Sequence, residues 1–284
     1  PLNNDFDPSG GILVLQSVSA PPDSGVTVTV VDHSLLQITA ASTVPANLTV
    51  DYTVTNGTSS ATGKVAIVPV TQSQPQPPVV TNDTAVVRAG DVVTVPVLDN
   101  DSSPSGLNLS VDSQVSLVGD ELGTAWVSED TLRFRAGDQP GRTSYAYTAK
   151  DDQGQTASGV VTVEVRAQDA EHNSAPSPRN LEARTVAGSS TNITVPLDGI
   201  DPDGDSVSLV GLNQAPSLGS VEVNSSWLTY KPSEGASGTD TFTYVVEDRF
   251  GAQSTGTVRV GVAQSSPLNV APVATDDLVV AKPG

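Results

Sequence analysis

Cysteine and methionine are both absent from the 284 residues. Without cysteine no disulfide can staple the fold, and no thiol can serve as a nucleophile. Only two histidines occur, His33 in a hairpin turn and His172 in a linker, so a Ser-His-Asp triad has no sheltered imidazole to work through. Aromatic residues make up 4% of the chain. The acids cluster in loops without an aromatic cleft for sugar, although counting alone leaves acid pairs for glycoside hydrolysis open, and a core has to be assembled from Val, Leu, Ile and Ala. Cationic side chains are scarce: 13 Lys and Arg face 32 Asp and Glu, a net charge of −19. Such a surface repels nucleic acid and anionic lipid and favours soluble cations, calcium above all. No apolar run approaches the ~18 residues of a membrane span, so no direct membrane insertion is expected. No phosphate-cradling Gly-rich loop and no signal peptide or anchor is visible either. A chain that opens on Pro1 reads as a piece of something longer.

What the chain does have is repetition. Tyr52, Tyr147 and Tyr244 are separated by 95 and 97 residues, and each leads into a polar turn, a glycine and alternating valines. The three stretches read DYTVTNGTSSATGKVAIVPV, YAYTAKDDQGQTASGVVTVEV and YVVEDRFGAQSTGTVRVGV. Short alternating runs bounded by Gly, Pro, Asn and Asp recur about every ten residues, and no stretch carries a sustained helical stripe; this pattern predicts seven-stranded β-sandwiches. In the second unit the runs are 84–89, 92–98, 106–118, 125–127, 131–136, 144–150 and 156–165. Trp126 and Trp227 are expected to pack in the core, and the three tyrosines to sit at its edge with a bonded hydroxyl.

The expected boundaries are 1–72 for a truncated first unit, 78–167 and 174–264 for two complete units, and 269–284 for the opening strand of a fourth. Pro1–Asp5 aligns with Pro96–Asp101, so the first unit lacks its first strand and most of its second. An open sheet edge invites a partner strand. A cut boundary accounts for it; head-to-tail donation of the strand at 273–282 between chains is the sharper alternative. The Pro-rich linkers are stiff, which favours an extended array touching only its neighbouring repeats.

VPVLDNDSSPSG, VPLDGIDPDGD, GTDTFTYVVEDRFGAQSTGTV and APVATDD resemble bacterial Ig-like and cadherin-like tandem repeats of large surface proteins and adhesins. That resemblance covers nearly the whole chain. It implies an extracellular, cell-surface location, often with calcium at domain junctions. Ser103 departs from the pattern, standing where the other units have Asp7 and Asp203.

In a seven-stranded sandwich the loops after strands two, four and six fall at the end where the chain enters, and in the second unit these loops, 99–105, 128–130 and 151–154, are all acidic. Calcium takes six to eight oxygens from carboxylates, carbonyls and water. The strongest candidate set is Asp201, Asp203 and Asp205 in DPDGD, with Asp248 in a neighbouring loop and Asp169 and Glu171 in the entering linker. Weaker sets are Asp99, Asp101 and Asp152 in the second unit, and Asp5 with Asp7 in the first. Ser206 and Leu212 stand where an EF-hand needs Gly and Glu, so the loop is not one. Asp, Gly and Pro also simply make good turns. The function expected is therefore a structural spacer or adhesive repeat, not an enzyme. The alternative is a module that docks a cell-surface glycan or protein on a loop cluster or sheet face.

Overall fold

The computed structural model describes residues 1–40, 48–68 and 76–264. The expected opening strand at 269–284 lies outside the described residues. Every regular element among the described residues is a strand. The first unit holds β1 (Val14–Ser19), β2 (Val26–Val31), β3 (Leu35–Ala40), β4 (Leu48–Thr55) and β5 (Ser60–Ile67). The second holds β6 (Asp83–Arg88), β7 (Val92–Val95), β8 (Leu109–Val111), β9 (Ser116–Leu117), β10 (Gly123–Ser128), β11 (Thr131–Ala136), β12 (Gly141–Asp151) and β13 (Thr156–Arg166). The third holds β14 (Leu181–Val186), β15 (Thr191–Thr194), β16 (Val207–Gln214), β17 (Gly219–Val223), β18 (Trp227–Pro232), β19 (Gly238–Asp248) and β20 (Gln253–Ala263).

Units two and three share one topology. One sheet is built on the long hairpins β12-β13 and β19-β20; the other has the order β10-β11-β7 or β15-β18-β17. The opening strand of each unit joins the first sheet in parallel: β6 lies along β13 and β14 along β20. Strict alternation of Val and Thr along these strands sends one set of side chains inward, and Val161, Val163, Val258 and Val260 are fully buried. The run expected as a single strand over 106–118 is instead the two short strands β8 and β9, both paired with β12. Between them the Asp112 carboxylate accepts the Gln114 amide at 3.0 Å, a local turn that competes with the ladder.

Each repeat tyrosine faces a glycine on the next strand: Tyr52 opposite Gly63, Tyr147 opposite Gly159, Tyr244 opposite Gly256. A Cβ on any of these glycines would lie 2.3–2.6 Å from the ring, so the ring occupies the space a side chain would need. Tyr147 gives its hydroxyl to Val97 O at 3.1 Å, Tyr244 to Arg179 O at 2.6 Å, and Tyr52 to the Asp5 carboxylate at 2.9 Å.

The two tryptophans are not core residues. Trp227 is 40% exposed, and Trp126 is half-buried with the Arg133 guanidinium 5.9 Å from its ring. Both stand out of phase with the inward set, which on β11 and β18 is Leu132, Phe134, Leu228 and Tyr230. Three clusters of buried side chains form, one per unit, and none mixes residues of two units; the buried Ile12 and Val14 of unit one lie outside them, against Gly261 of unit three. Each unit thus holds itself together, and contacts between units are confined to their ends.

Candidate metal centre at the joint between units two and three

The loop after β15 carries DPDGD. Asp201 folds it: its Oδ1 accepts the amides of Asp203 at 2.9 Å and Asp205 at 3.1 Å, while its carbonyl accepts the Gly204 amide at 3.2 Å. Gly204 sits at φ +81°, and a Cβ there would lie 2.7 Å from the Val87 backbone of unit two. Only glycine allows both the left-handed turn and that close approach. The approach is sealed by the Arg88 amide, which donates to Gly204 O at 2.9 Å across the joint.

This turn gathers three carboxylates. Asp201, Asp203 and Asp205 each offer an oxygen within 4.8 Å of the other two, and among the described residues no other trio of His, Asp or Glu does so. Asp201 and Asp205 are each 6% exposed. Asp201 Oδ2 and Asp205 Oδ1 have no hydrogen-bond partner although they are buried. A buried carboxylate oxygen without a donor costs free energy that a cation recovers. Oxygens at this separation fit around one calcium ion, whose ligands lie about 2.3–2.6 Å from the metal.

Cations of the protein already lean on the site from unit two. Arg88, buried at the end of β6, reaches Asp205 Oδ2 with Nε at 3.2 Å and Asp203 Oδ2 with Nη2 at 3.6 Å, and it donates to Ala167 O at 2.7 Å. Arg166 lies 3.7 Å from Asp203 Oδ1 and donates to Pro202 O at 2.8 Å. Beside them, Asp91 accepts the Ser206 amide at 3.2 Å and the Arg249 guanidinium at 2.6 Å. Burial pushes the Asp201 and Asp205 carboxyls above the ordinary aspartate range, with neighbouring carboxylates adding to it and Arg88 opposing it at Asp205. Asp203 is held below that range, chiefly by the Ser174 amide.

The linker that enters unit three contributes Asn173 and Ser174. Ser174 N donates to Asp203 Oδ2 at 2.7 Å, and Asn173 Nδ2 to Asp248 Oδ2 at 2.7 Å, leaving the buried Asn173 Oδ1 without a partner. Asp248 therefore lies alongside the trio, its other oxygen holding the turn through the Phe250 and Ala252 amides. Asp169 closes its own turn, accepting from the Glu171 and His172 amides and meeting the His172 ring at 3.0 Å; Glu171 is exposed. Composition around a linker pointed to its acids, whereas the amide of Asn173 and the backbone of Ser174 are what reach the loop. A lone arginine ending the apolar run TAVVRA was the available signal for Arg88.

The other acidic poles are differently arranged. Asp101 accepts the Thr81 amide at 2.8 Å and the Tyr147 hydroxyl at 3.1 Å, Asp152 binds the Asn108 side chain at 2.9 Å, and Asp99 is exposed. In unit one, Asp5 receives the Tyr52 hydroxyl. Asp7 accepts from Ser9, Gly11 and Asn56, and these bonds, that of the Ser9 hydroxyl first, hold its carboxyl below the ordinary range. His33 likewise serves structure: its carbonyl accepts the Leu15 amide at 2.8 Å and its ring meets Leu15 O at 3.3 Å.

A family model described as a bacterial Ig domain matches residues 1–68, 75–164 and 173–261. No curated protein matches the chain. Among solved structures, the chain is similar to an endo-fucoidan hydrolase from glycoside hydrolase family 107, with 16% identity over 89% of this chain and 39% of that one, at a TM-score of 0.32. It is similar to the immunoglobulin domains 1–4 of Sidekick-1, with 14% identity over 89% of this chain and 66% of that one, at 0.37. Drosophila N-cadherin EC1-4 gives 14% identity over 89% and 66%, at 0.27. The chain spans 39% of the hydrolase's length, and at such scores these neighbours say nothing about ligand or activity.

Proposed function

We propose that this chain, which belongs to the bacterial Ig domain family, is a set of structural repeats of an extracellular surface protein or adhesin, stiffened by calcium where unit two meets unit three. The observation that carries the reading is the joint itself: separately cored units meet end to end at a loop whose buried carboxylate oxygens, Asp201 Oδ2 and Asp205 Oδ1, lack donors. Catalysis has no comparable support: among the described residues, His33 bonds within a hairpin turn and His172 within the turn of Asp169. Family membership favours the extracellular placement; no helix among the described residues is long and apolar enough to cross a membrane.

Asp201, Asp203 and Asp205 would hold the ion, with Asn173 Oδ1 as a neutral donor alongside. When bound, calcium supplies positive charge and a coordination shell, not reactivity. Arg88 and Arg166 fasten unit two to the outer side of the same carboxylates, so the ion and the arginines pull the two units onto one loop. Calcium sites of extracellular modules bind at ~0.1–1 mM. At about 1 mM free calcium, such a site contributes only ~0.4–1.4 kcal/mol. Its consequence is therefore mainly mechanical: without the ion, like charges loosen the joint. Small-angle scattering tests this. Removing calcium with EDTA should broaden the distance distribution of the chain, and readdition should restore it; identical profiles in both states would leave the acids as turn formers only.

A second reading, docking of a glycan or protein on a sheet face, is favoured by the outward position of Trp227, and of Trp126 beneath Arg133. Exposed indoles are suited to stacking on sugar rings. Glycan-array binding that Trp227→Ala abolishes would support it; an array without signal would remove it.

A further inference from the structure

In a chain with 32 acids and 13 cationic side chains, an arginine has many acids to choose from. Arg88, Arg142, Arg166, Arg184, Arg249 and Arg259 each meet an Asp or Glu. Arg133 and Arg135 do not: among the described residues no carboxylate lies within ion-pair reach of either. Both are exposed and stand on the outward phase of β11, between the inward Leu132, Phe134 and Ala136. Two residues along a strand, they are roughly 6.7 Å apart and point the same way.

The sheet of unit three shows what this face does when it serves the fold alone. The outward row through Arg133 reads Trp126, Arg133, Thr94 across three strands, and the same row of unit three reads Glu222, Thr229, Asn192. In unit three the row is closed by hydrogen bonds. Thr229 gives its hydroxyl to Asn192 Oδ1 at 2.9 Å and accepts the Asn224 side-chain amide at 3.3 Å. In unit two, no side-chain hydrogen bond joins the row among the described residues, and Thr94 Oγ1 is buried without a partner. The Arg133 guanidinium instead lies 5.9 Å from the centre of the Trp126 ring. An indole face restrains a guanidinium without neutralising it, so the charge and the N–H donors stay available. The next row sets Thr124, exposed, opposite Arg135.

We propose that the outer face of β10 and β11 in unit two, through Trp126, Arg133 and Arg135, binds a polysaccharide that carries sulfate or carboxylate groups. The inference rests on the second reading above, docking of a glycan on a sheet face, and names its chemical class and its strands. A guanidinium offers a planar fork of N–H donors that matches two oxygens of one anionic group. The half-buried indole beside it offers a flat apolar surface for a sugar ring. An acidic peptide would use the arginines and leave the indole idle; an anionic sugar uses both. The net charge of −19 does not oppose this at contact. At physiological salt, exposed charges more than about 8 Å away are largely screened, so an arriving anion meets the two unpaired arginines rather than the distant acids.

With two tryptophans in the chain, Trp227→Phe leaves Trp126 as the sole indole and makes its emission a reporter of this face. Dextran sulfate, polygalacturonate, neutral dextran and poly-glutamate are titrated in turn at ~0.15 M salt, with EDTA present so that no calcium bridges the carboxylates. A saturable change is expected with dextran sulfate, with polygalacturonate or with both, and which of them acts tells sulfate from carboxylate. Dextran is expected to give none. Arg133→Ala and Arg135→Ala, exposed and outside the core, should each weaken binding at least about tenfold. Trp126→Glu with Arg133→Thr installs the residues that unit three carries in the same row, so the fold should keep its melting temperature while calorimetry shows binding lost. Binding that survives these substitutions, an equal response to poly-glutamate, or no response to either anionic polysaccharide would overturn the inference. A glycan-array signal confined to neutral sugars would also overturn it, while leaving the docking reading in place.

Discussion

Units two and three carry the same loop at the same end and put it to different use. Unit two reads Asp101, Ser103 and Ser105 where unit three reads Asp201, Asp203 and Asp205. In unit two the Asp101 carboxylate is occupied by the Thr81 amide and the Tyr147 hydroxyl. In unit three the corresponding tyrosine, Tyr244, turns its hydroxyl to Arg179 O instead, and the buried Asp201 Oδ2 is left without a donor. The two cores differ by a similar exchange. Phe134 packs on Tyr145 in unit two, with ring centroids 5.6 Å apart; Tyr230 packs on Phe242 in unit three, at 6.0 Å. The hydroxyl has changed strands, and its partner has changed with it, from Gly123 O to the fully buried Asp240. The shared framework thus takes a polar group wherever a matching partner arrives with it, and the acidic loops differ in how many internal donors reach their buried oxygens.

The largest expected effect breaks the comparison of the cores. Asp240 accepts bonds from Ser217, Leu218, Thr241 and Tyr230. Burial pushes its carboxyl up, but these bonds outweigh it and hold the group ionised below the ordinary range. Asp240→Ala strands several buried donors and should cost unit three about 3 kcal/mol or more, whereas Thr143→Ala at the matching position of unit two, losing one bond to Asp120 O, should cost about 1 kcal/mol. Urea unfolding resolved by unit checks this, and equal losses would contradict the asymmetry.

Next in size is the glycine of the joint. Gly204→Ala meets both a left-handed φ and the Val87 backbone; Gly154→Ala, at φ +83° with its nearest neighbour 3.9 Å away, meets only the first. The backbone term alone is about 1–2 kcal/mol. Gly204→Ala should exceed it and should also speed amide exchange at Arg88, while Gly154→Ala leaves Arg88 unchanged.

Smaller still is the transplant of the acidic loop. Ser103→Asp with Ser105→Asp gives unit two the acids of unit three, but Asp101 remains occupied. No calcium-dependent rise in melting temperature beyond that of the parent chain is expected. An added rise would show that loop sequence alone makes the site.

The smallest effect is the pH dependence of the metal-free joint. Asp201 and Asp205 have raised folded-state values, so their contribution to stability is present below the unfolded value of 3.8 and is lost as pH rises through the folded values. Asp203, with a lowered value, contributes stability above 3.8 that disappears as pH falls through its folded value. In EDTA, Asp201→Asn with Asp205→Asn should therefore gain on the parent chain as pH rises from about 3.8. A constant difference across the titration would contradict the raised values.

Much of the fold is written in period-two valines. The hairpin from VTVTVV and LLQITA occupies the strands read from those runs, and turn residues mark its reversal. The acidic loop at 201–205 was legible for the same local reason, since Asp and Gly at alternating positions fold one tight turn. Features that depend on phase or on chain path were not. Trp126 and Trp227 have core-like chemistry but stand on the outward phase of their strands. Asn173, Ser174 and Arg88 reach the carboxylates because of how the linker and β6 arrive, which neither composition nor spacing records. The tyrosine–glycine pairs were half visible: glycine follows each tyrosine by 11 or 12 residues, yet only the hairpin register puts them face to face.

The most direct test of the proposal that the joint holds a cation is a calcium titration of the metal-free chain followed by amide shifts of Ser174, Gly204 and Arg88. One saturable transition is expected at ~0.1–1 mM, lost in Asp201→Asn with Asp205→Asn and retained in Asp101→Asn. Shifts that do not saturate, or that persist unchanged after the double substitution, would contradict it.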